Sequence, residues 1–267
     1  MPKPSFDPKG AARLILLPLT VMAALTIAVG LLITKVLQTT TLVANDEGVN
    51  ERLAHGRTAF LNSITDRMTG LSDMPTIIIA TAVLLLLFRV VFRRWNESAF
   101  LVLAVFSQSA IFLLATVFAQ RKRPAVQHLD PAPPTSSFPS GHTSAAVAFY
   151  CGLALVLTLH THRHRFLNVL WWLVGLAVPL GIAYSRMYRG MHHLSDVGWG
   201  LLLGAVCVAV AANALLFRPV LTDGRERPGD AGGRDGDGTA GTGAGASAGA
   251  GATRTERPGI AVIRDGF

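Results

Sequence analysis

The sequence predicts an all-α integral membrane protein: a six-helix bundle with an amphipathic surface helix and a disordered C-terminal tail. Three observations lead there. The 267 residues are 51% hydrophobic and only 15% charged, at a mean hydropathy of +0.44, whereas soluble domains carry about a quarter charged residues. Six segments are apolar over the ~20 residues, with a range of ~17 to 25, that a bilayer-crossing helix needs. The remaining sequence is either loop-like and polar or, beyond Asp223, so rich in glycine that there is almost nothing to bury.

The first predicted span runs from Leu14 to Ile33. It exceeds the apolar core of a signal peptide and no clear small-x-small cleavage site follows, so it is read as a retained helix. The others run from Pro75 to Val91, Ala99 to Ala119, Thr143 to Leu159, Phe166 to Tyr184 and Val197 to Phe217. Between the first two spans, Leu53, Phe60, Leu61, Ile64, Met68 and Leu71 recur at roughly helical spacing. That pattern suits an amphipathic helix on the membrane surface or a helix packed over the mouth of the bundle. The chain divides into a membrane domain, 1–222, and a tail, 223–267, that holds 13 of the 26 glycines. Ordering such a tail would cost more than its burial returns. Its Gly, Ala and Arg content suggests a GC-rich bacterial genome.

Cys151 and Cys207 both fall inside apolar runs, which argues against a disulfide framework or a cysteine metal site. The formal charge is +8, and because the tail from Asp223 carries six Arg against seven acidic residues, the basic excess belongs to the membrane domain. Anionic headgroups, an anionic substrate and topology signals all fit that excess. A nucleic-acid partner does not, for lack of a soluble basic face with stacking aromatics.

Six crossings put the loops after spans one, three and five on one face. The two loops densest in chemistry, AQRKRPAVQHLDPAPPTSSFPSGH and SRMYRGMHHLSD, therefore meet. Lys and Arg near the span ends number nine on each face, so charge does not choose the orientation. In the later loop His192 and Asp196 are four apart, a spacing that on a helix brings them within hydrogen-bonding reach. An Asp on one ring nitrogen leaves the other as nucleophile or base. Arg123, stiffened by Pro124, and Arg186 offer forked guanidinium groups suited to phosphate oxygens; headgroup snorkelling is the plainer role for both. FPSGH alone reads as a turn and helix cap, yet a helix start with a bare Gly141 also presents amides to an anion.

Together, Arg123-Pro124, FPSGH and the later Ser185-Arg186-x5-His192-x3-Asp196 resemble the three-part signature of the type 2 phosphatidic acid phosphatases. That family of lipid phosphate phosphatases shares a fold with the vanadium haloperoxidases, and the resemblance is strongest over 100–217. It implies an integral membrane phosphohydrolase for a phosphatidate or a polyprenyl diphosphate. In this likeness His192 is the nucleophile forming a phosphohistidine, Asp196 orients it, and His142 protonates the leaving group. Arg123, Ser140, Gly141 and Arg186 hold the phosphoryl oxygens, without metal or other cofactor. The likeness also implies a multi-pass protein of the cell membrane with an extracytoplasmic site and cytoplasmic termini.

One position departs from the pattern: the family's lysine seven residues before that arginine is Thr116 here. Arg121 or Lys122 would then be the substitute phosphate contacts, or the pocket takes a less charged phosphate. His193 and His128 could be drawn into a zinc site with His142, His192 and Asp196, but no ligand spacing supports it. The HTHRHR run on the opposite face reads as a solvated turn. The remaining alternatives are a membrane transporter, an inactive lipid-binding scaffold or a phosphotransferase using the same phosphohistidine. The first lacks midplane ionisable residues and repeats.

Overall fold

A computed structural model describes residue 10 and residues 12–217. The predicted tail, 223–267, lies outside the described residues. Eight helices follow one another among those described: α1 (Arg13–Val36), α2 (Thr41–His55), α3 (Ala59–Gly70), α4 (Met74–Phe92), α5 (Asn96–Ala119), α6 (Gly141–His160), α7 (Arg165–Tyr188) and α8 (Leu194–Phe217). Six of them, α1 and α4 to α8, are long and apolar enough to cross a membrane. Each predicted span is there, most of them lengthened by a few residues at one or both ends. The protein is a multi-pass membrane protein, and large apolar side chains such as Leu86, Val90, Phe106, Val117 and Leu173 stand exposed along the spans, as lipid-facing positions must.

The best-buried spans are α5, α6 and α8. Phe100, Leu101 and Ala104 of α5 pack with Ala148 and Phe149 of α6 and Val208 and Ala211 of α8. Small residues set the close approach: a Cβ on Gly204 would stand 2.6 Å from both the Ser144 carbonyl and Val147 Cβ. Where hydrocarbon surrounds the bundle, van der Waals packing and buried hydrogen bonds replace the hydrophobic drive. Ser144 Oγ accordingly donates to Gln108 Oε1 at 2.7 Å between α6 and α5, and Trp199 Nε1 donates to Thr26 Oγ1 at 3.0 Å between α8 and α1.

The polar stretch between the first two spans folds as two helices. On α3 the predicted apolar stripe is divided: Phe60 and Ile64 are exposed, Leu61 and Met68 are half-buried with Met68 packed on Gly181 of α7, and Thr65 and Thr69 are buried beside that span. Polar bonds fasten it there. Ser185 Oγ donates to the Thr65 carbonyl at 2.6 Å, and Tyr188 Oη donates to Asn62 Oδ1 at 3.0 Å. Helix α3 therefore packs beside the last turns of a span with Phe60 and Ile64 outward.

On the opposite face the HTHRHR run is not simply solvated. His160 stacks on Phe92 with ring centroids 3.8 Å apart, and its Nε2 lies 3.5 Å from the buried Glu97, which also pairs with Arg94.

Candidate active site

The loops after α1, α5 and α7 converge, as parity demands. The long α5–α6 loop is pinned at its base: Ser137 N donates to the Arg121 carbonyl at 2.9 Å, and Ser137 Oγ donates to the Lys122 carbonyl at 2.9 Å. This clasp fixes the Ser137 carbonyl against His192. Asn50 of α2 fixes the other side, donating to the His192 carbonyl at 3.0 Å.

Arg123, His142, Arg186 and His192 all face one cavity of about 710 Å³. His192 Nδ1 lies 2.7 Å from the Ser137 carbonyl. A carbonyl only accepts, so Nδ1 carries the proton and Nε2 keeps its lone pair. Burial pushes the His192 pKa from 6.5 down to about 4, so the ring is neutral at pH 7. A neutral imidazole with one nitrogen locked and the other free is a nucleophile.

Asp196 does not hold that ring as the spacing predicted. His192 precedes α8, which begins at Leu194, so the four-residue interval is not helical. The Asp196 carboxylate stands 3.8 Å from His192 Nδ1. It accepts instead from His193 N at 2.8 Å, capping the helix start, and from Arg121 Nη1 at 2.5 Å. The hydrogen-bond partner of His192 is a backbone carbonyl, with Asp196 behind it as a charge neighbour.

Arg121 is likewise absent from the cavity. It is 7% exposed, with Nη2 donating to Asp46 of α2 at 2.9 Å and Nη1 to Asp196. Lys122 is exposed and does not line the cavity. Neither substitutes for the missing family lysine. Thr116 is half-buried and bonds its own helix, Oγ1 donating to the Leu113 carbonyl at 2.8 Å.

Ser140 is fully buried and pairs with Thr143 Oγ1 at 3.0 Å, so its hydroxyl is turned away from the cavity. Gly141 does line it. A Cβ there would meet the Phe112 ring at 2.9 Å, so the tight helix start needs glycine. The first amides of α6 have no preceding helical carbonyl to bond and are available to an anion.

Arg123 and Arg186 carry a second mark of an anion site. Arg123 Nη1 donates to the Met191 carbonyl at 2.7 Å. Arg186 Nη1 donates to Thr69 Oγ1 and Asp130 Oδ2, each at 2.8 Å. Yet the buried Nε of both arginines lacks any partner. Unpaired buried donors of this kind are costly and call for an explanation.

Asp73 and Asp130 were not singled out by sequence reasoning. Asp73, just before α4, meets His142 Nε2 at 3.1 Å, and this hydrogen bond holds the Asp73 carboxyl below its usual range. Asp130 bridges Arg186 and Arg189. An Asp-Pro turn signal marks Asp130 at most as loop, and nothing near Asp73 pointed to His142, 69 residues on. Among the described residues, no three His, Cys, Asp or Glu side chains gather into a metal-binding group.

Comparison with known families agrees with this geometry: the PAP2 superfamily profile matches residues 97–218. The matched region is somewhat under half of the chain; it spans α5 to α8 and every site residue proposed from the sequence, whereas α1 to α4 precede it. A search of curated proteins gave no match. Among solved structures, the chain is similar to the first transmembrane PAP2 type phosphatidylglycerolphosphate phosphatase from Bacillus subtilis, at 19% identity and a TM-score of 0.65, over 78% of this chain and 97% of that one. It is also similar to Aquifex aeolicus LpxE, at 22% identity and a TM-score of 0.49, over 62% of this chain and 94% of that one. The first likeness is one of fold, and it extends across the membrane bundle.

Proposed function

We propose that this protein is an integral membrane phosphohydrolase that removes phosphate from a lipid phosphomonoester or diphosphate through a phosphohistidine on His192, without metal. The observation that carries the reading is the tautomer of His192. With Nδ1 donating to the Ser137 carbonyl, Nε2 is the free nitrogen of a residue that lines a cavity with two arginines. The PAP2 match over residues 97–218 and the phosphatidylglycerolphosphate phosphatase among the structural neighbours support a lipid phosphatase.

In the first step the Nε2 lone pair of His192 attacks phosphorus, and the bond to the leaving oxygen breaks with its electrons on that oxygen. His142 gives this oxygen its proton. Arg123, Arg186 and the amides at Gly141 and His142 hold the non-bridging oxygens as charge redistributes. In the second step water attacks the phosphohistidine, and His142, now neutral, takes the water's proton. The P–N bond breaks, inorganic phosphate leaves and His192 regains its lone pair. Family resemblance puts this site on the extracytoplasmic face with both termini in the cytoplasm.

Purified protein in excess chelator is expected to release phosphate from phosphatidate or a polyprenyl diphosphate, and His192→Ala to lose at least about a thousandfold in rate. Intact cells expressing it should hydrolyse an impermeant short-chain lipid phosphate added outside. Absence of release, an active His192→Ala protein, or activity abolished by chelator and restored by zinc would each overturn the reading.

A further inference from the structure

The main chain of His192 is held from a helix that lies before the matched region. His192 falls between α7, which ends at Tyr188, and α8, which begins at Leu194, so no helical ladder fixes it. Its amide donates to the Arg186 carbonyl over a long 3.3 Å. Its carbonyl accepts from Asn50 Nδ2 of α2 at 3.0 Å, and the same nitrogen donates to the Met187 carbonyl at 3.1 Å. One amide group therefore ties together the two ends of the turn that leads from α7 to His192. Carbonyls only accept, so both bonds need the NH2 of the side chain, whose two hydrogens suffice.

Asn50 is wholly buried, and its Oδ1 has no partner. An unpaired buried acceptor is a cost that an apolar side chain of the same shape would avoid. What asparagine adds over such a side chain is its pair of donors. Asp46 and Glu47, four and three residues earlier, share its side of α2. Asp46 accepts from Ser195 N at 3.1 Å, and Glu47 accepts from Ala125 N at 2.6 Å and lies 3.0 Å from His193 Nε2. This polar face grips the segments on either side of the nucleophile. Of the three residues, Asn50 bonds to His192 itself.

We propose that Asn50 is a positioning residue for the nucleophile, setting the main chain of His192 so that Nε2 meets phosphorus. The proposal rests on the phosphohydrolase reading above. The bond from Nδ1 to the Ser137 carbonyl fixes the turn of the ring, and the bond from Asn50 fixes the backbone from which the ring projects. Both are needed to place Nε2. Asn50 does not line the cavity, where Arg123, Arg186 and the amides at Gly141 and His142 face the phosphoryl oxygens. Its loss therefore moves the attacking atom and leaves the anion site in place. A displacement of about 1 Å costs about a hundredfold in such a step.

The test uses the full-length protein in detergent, whichever of phosphatidate and a polyprenyl diphosphate the parent hydrolyses, and two inhibitors. Inorganic phosphate reads the anion site alone. Vanadate takes a fifth ligand, as phosphorus does in the transition state, and so also reads the position of Nε2. Asn50→Leu keeps the branching of the side chain, adds no charge and removes both donors. It should lower kcat/KM by about a hundredfold and weaken vanadate inhibition by about tenfold or more, while phosphate inhibition stays within about twofold. Asn50→Ala, which leaves room for water beside the two carbonyls, should give the same pattern at smaller amplitude and is the variant to read if leucine prevents folding. Phosphate and vanadate inhibition weakened by one factor would mean that the whole site has loosened, and kcat/KM within about threefold of the parent would mean that Asn50 only packs. Either result overturns the proposal and leaves the phosphohydrolase reading standing, whereas a parent that hydrolyses neither substrate removes the two together.

Discussion

Two charge networks flank the loop that carries His192, and they differ in what they leave unsatisfied. One joins Asp46 of α2, Arg121 of the long loop, and His193, Ser195 and Asp196 at the start of α8. Glu47 extends it, lying 3.0 Å from His193 Nε2 and accepting from Ala125 N at 2.6 Å. Both Arg121 Nη atoms and the Asp46 and Asp196 carboxylates are paired, and Asp196 is wholly buried. The other network joins Arg123, Arg186, Asp130, Asp73 and His142 around an open cavity, and there the buried Nε atoms of both arginines are orphaned. The residue types are the same. A closed network fastens loops together, whereas an open one holds donors in reserve for a ligand.

This contrast is broken or kept most directly by removing one arginine from each side. Arg186→Ala should cost about a hundredfold or more in kcat/KM, the scale of losing one preorganised donor at a developing charge. Thermal unfolding in detergent should shift little, because Asp130 keeps Arg189. Arg121→Ala should do the reverse. It strands the Asp46 and Asp196 carboxylates, a loss of ~3–5 kcal/mol for a buried pair, while any protein that stays folded keeps kcat within a fewfold. If Arg121→Ala abolished turnover in a fully folded protein, Arg121 would belong to the phosphate site and the division between networks would fail.

The sequence carried the six crossings and the facing of the loops, because both follow from hydrophobic length and parity. The residues gathered by FPSGH and the later His-x3-Asp lie near one another for the same reason. It favoured Arg123 through its pairing with Pro124, but did not show that Arg121, offered as a further phosphate contact, is already engaged. They sit two apart in one loop, and what separates them is Asp46, 75 residues earlier, which claims the first. The spacing of His192 and Asp196 suggested one helical face, whereas His192 lies outside α8 and a backbone carbonyl from a third segment is the closer partner of its ring. Asp73 and Asp130 were missed for want of any local pattern. They become site residues only when the start of α4 meets α6 and the long loop packs against α7.

A pH profile sharpens the comparison on the open side. In the proposed mechanism the neutral form of His192 attacks phosphorus, and burial lowers its pKa from 6.5 to about 4. Protonation therefore disarms the residue only as pH falls toward 4, and kcat/KM should hold through pH 5.5 before its acid limb appears. An ordinary histidine would already be about 90% protonated at pH 5.5. The sign for stability follows. Between pH 6.5 and about 4 the unfolded state binds the proton that folded His192 refuses, so this residue costs stability as pH falls through that window. An acid limb for kcat/KM near pH 6.5 would mean that His192 is wetter, or better paired with Asp196, than its 2.7 Å bond to Ser137 implies.

The smallest expected effect comes from Thr116→Lys, which adds to the open network the cation that the sequence pattern lacks. Position 116 lies one turn along α5 from Phe112, which lines the cavity, and helical side chains lean back toward the preceding turn. A lysine there would extend its ammonium toward the phosphate region beside Arg123. Inorganic phosphate should then inhibit about threefold more strongly, consistent with one partly screened charge at the rim. Unchanged phosphate inhibition would mean that Arg123 and Arg186 already saturate the anion.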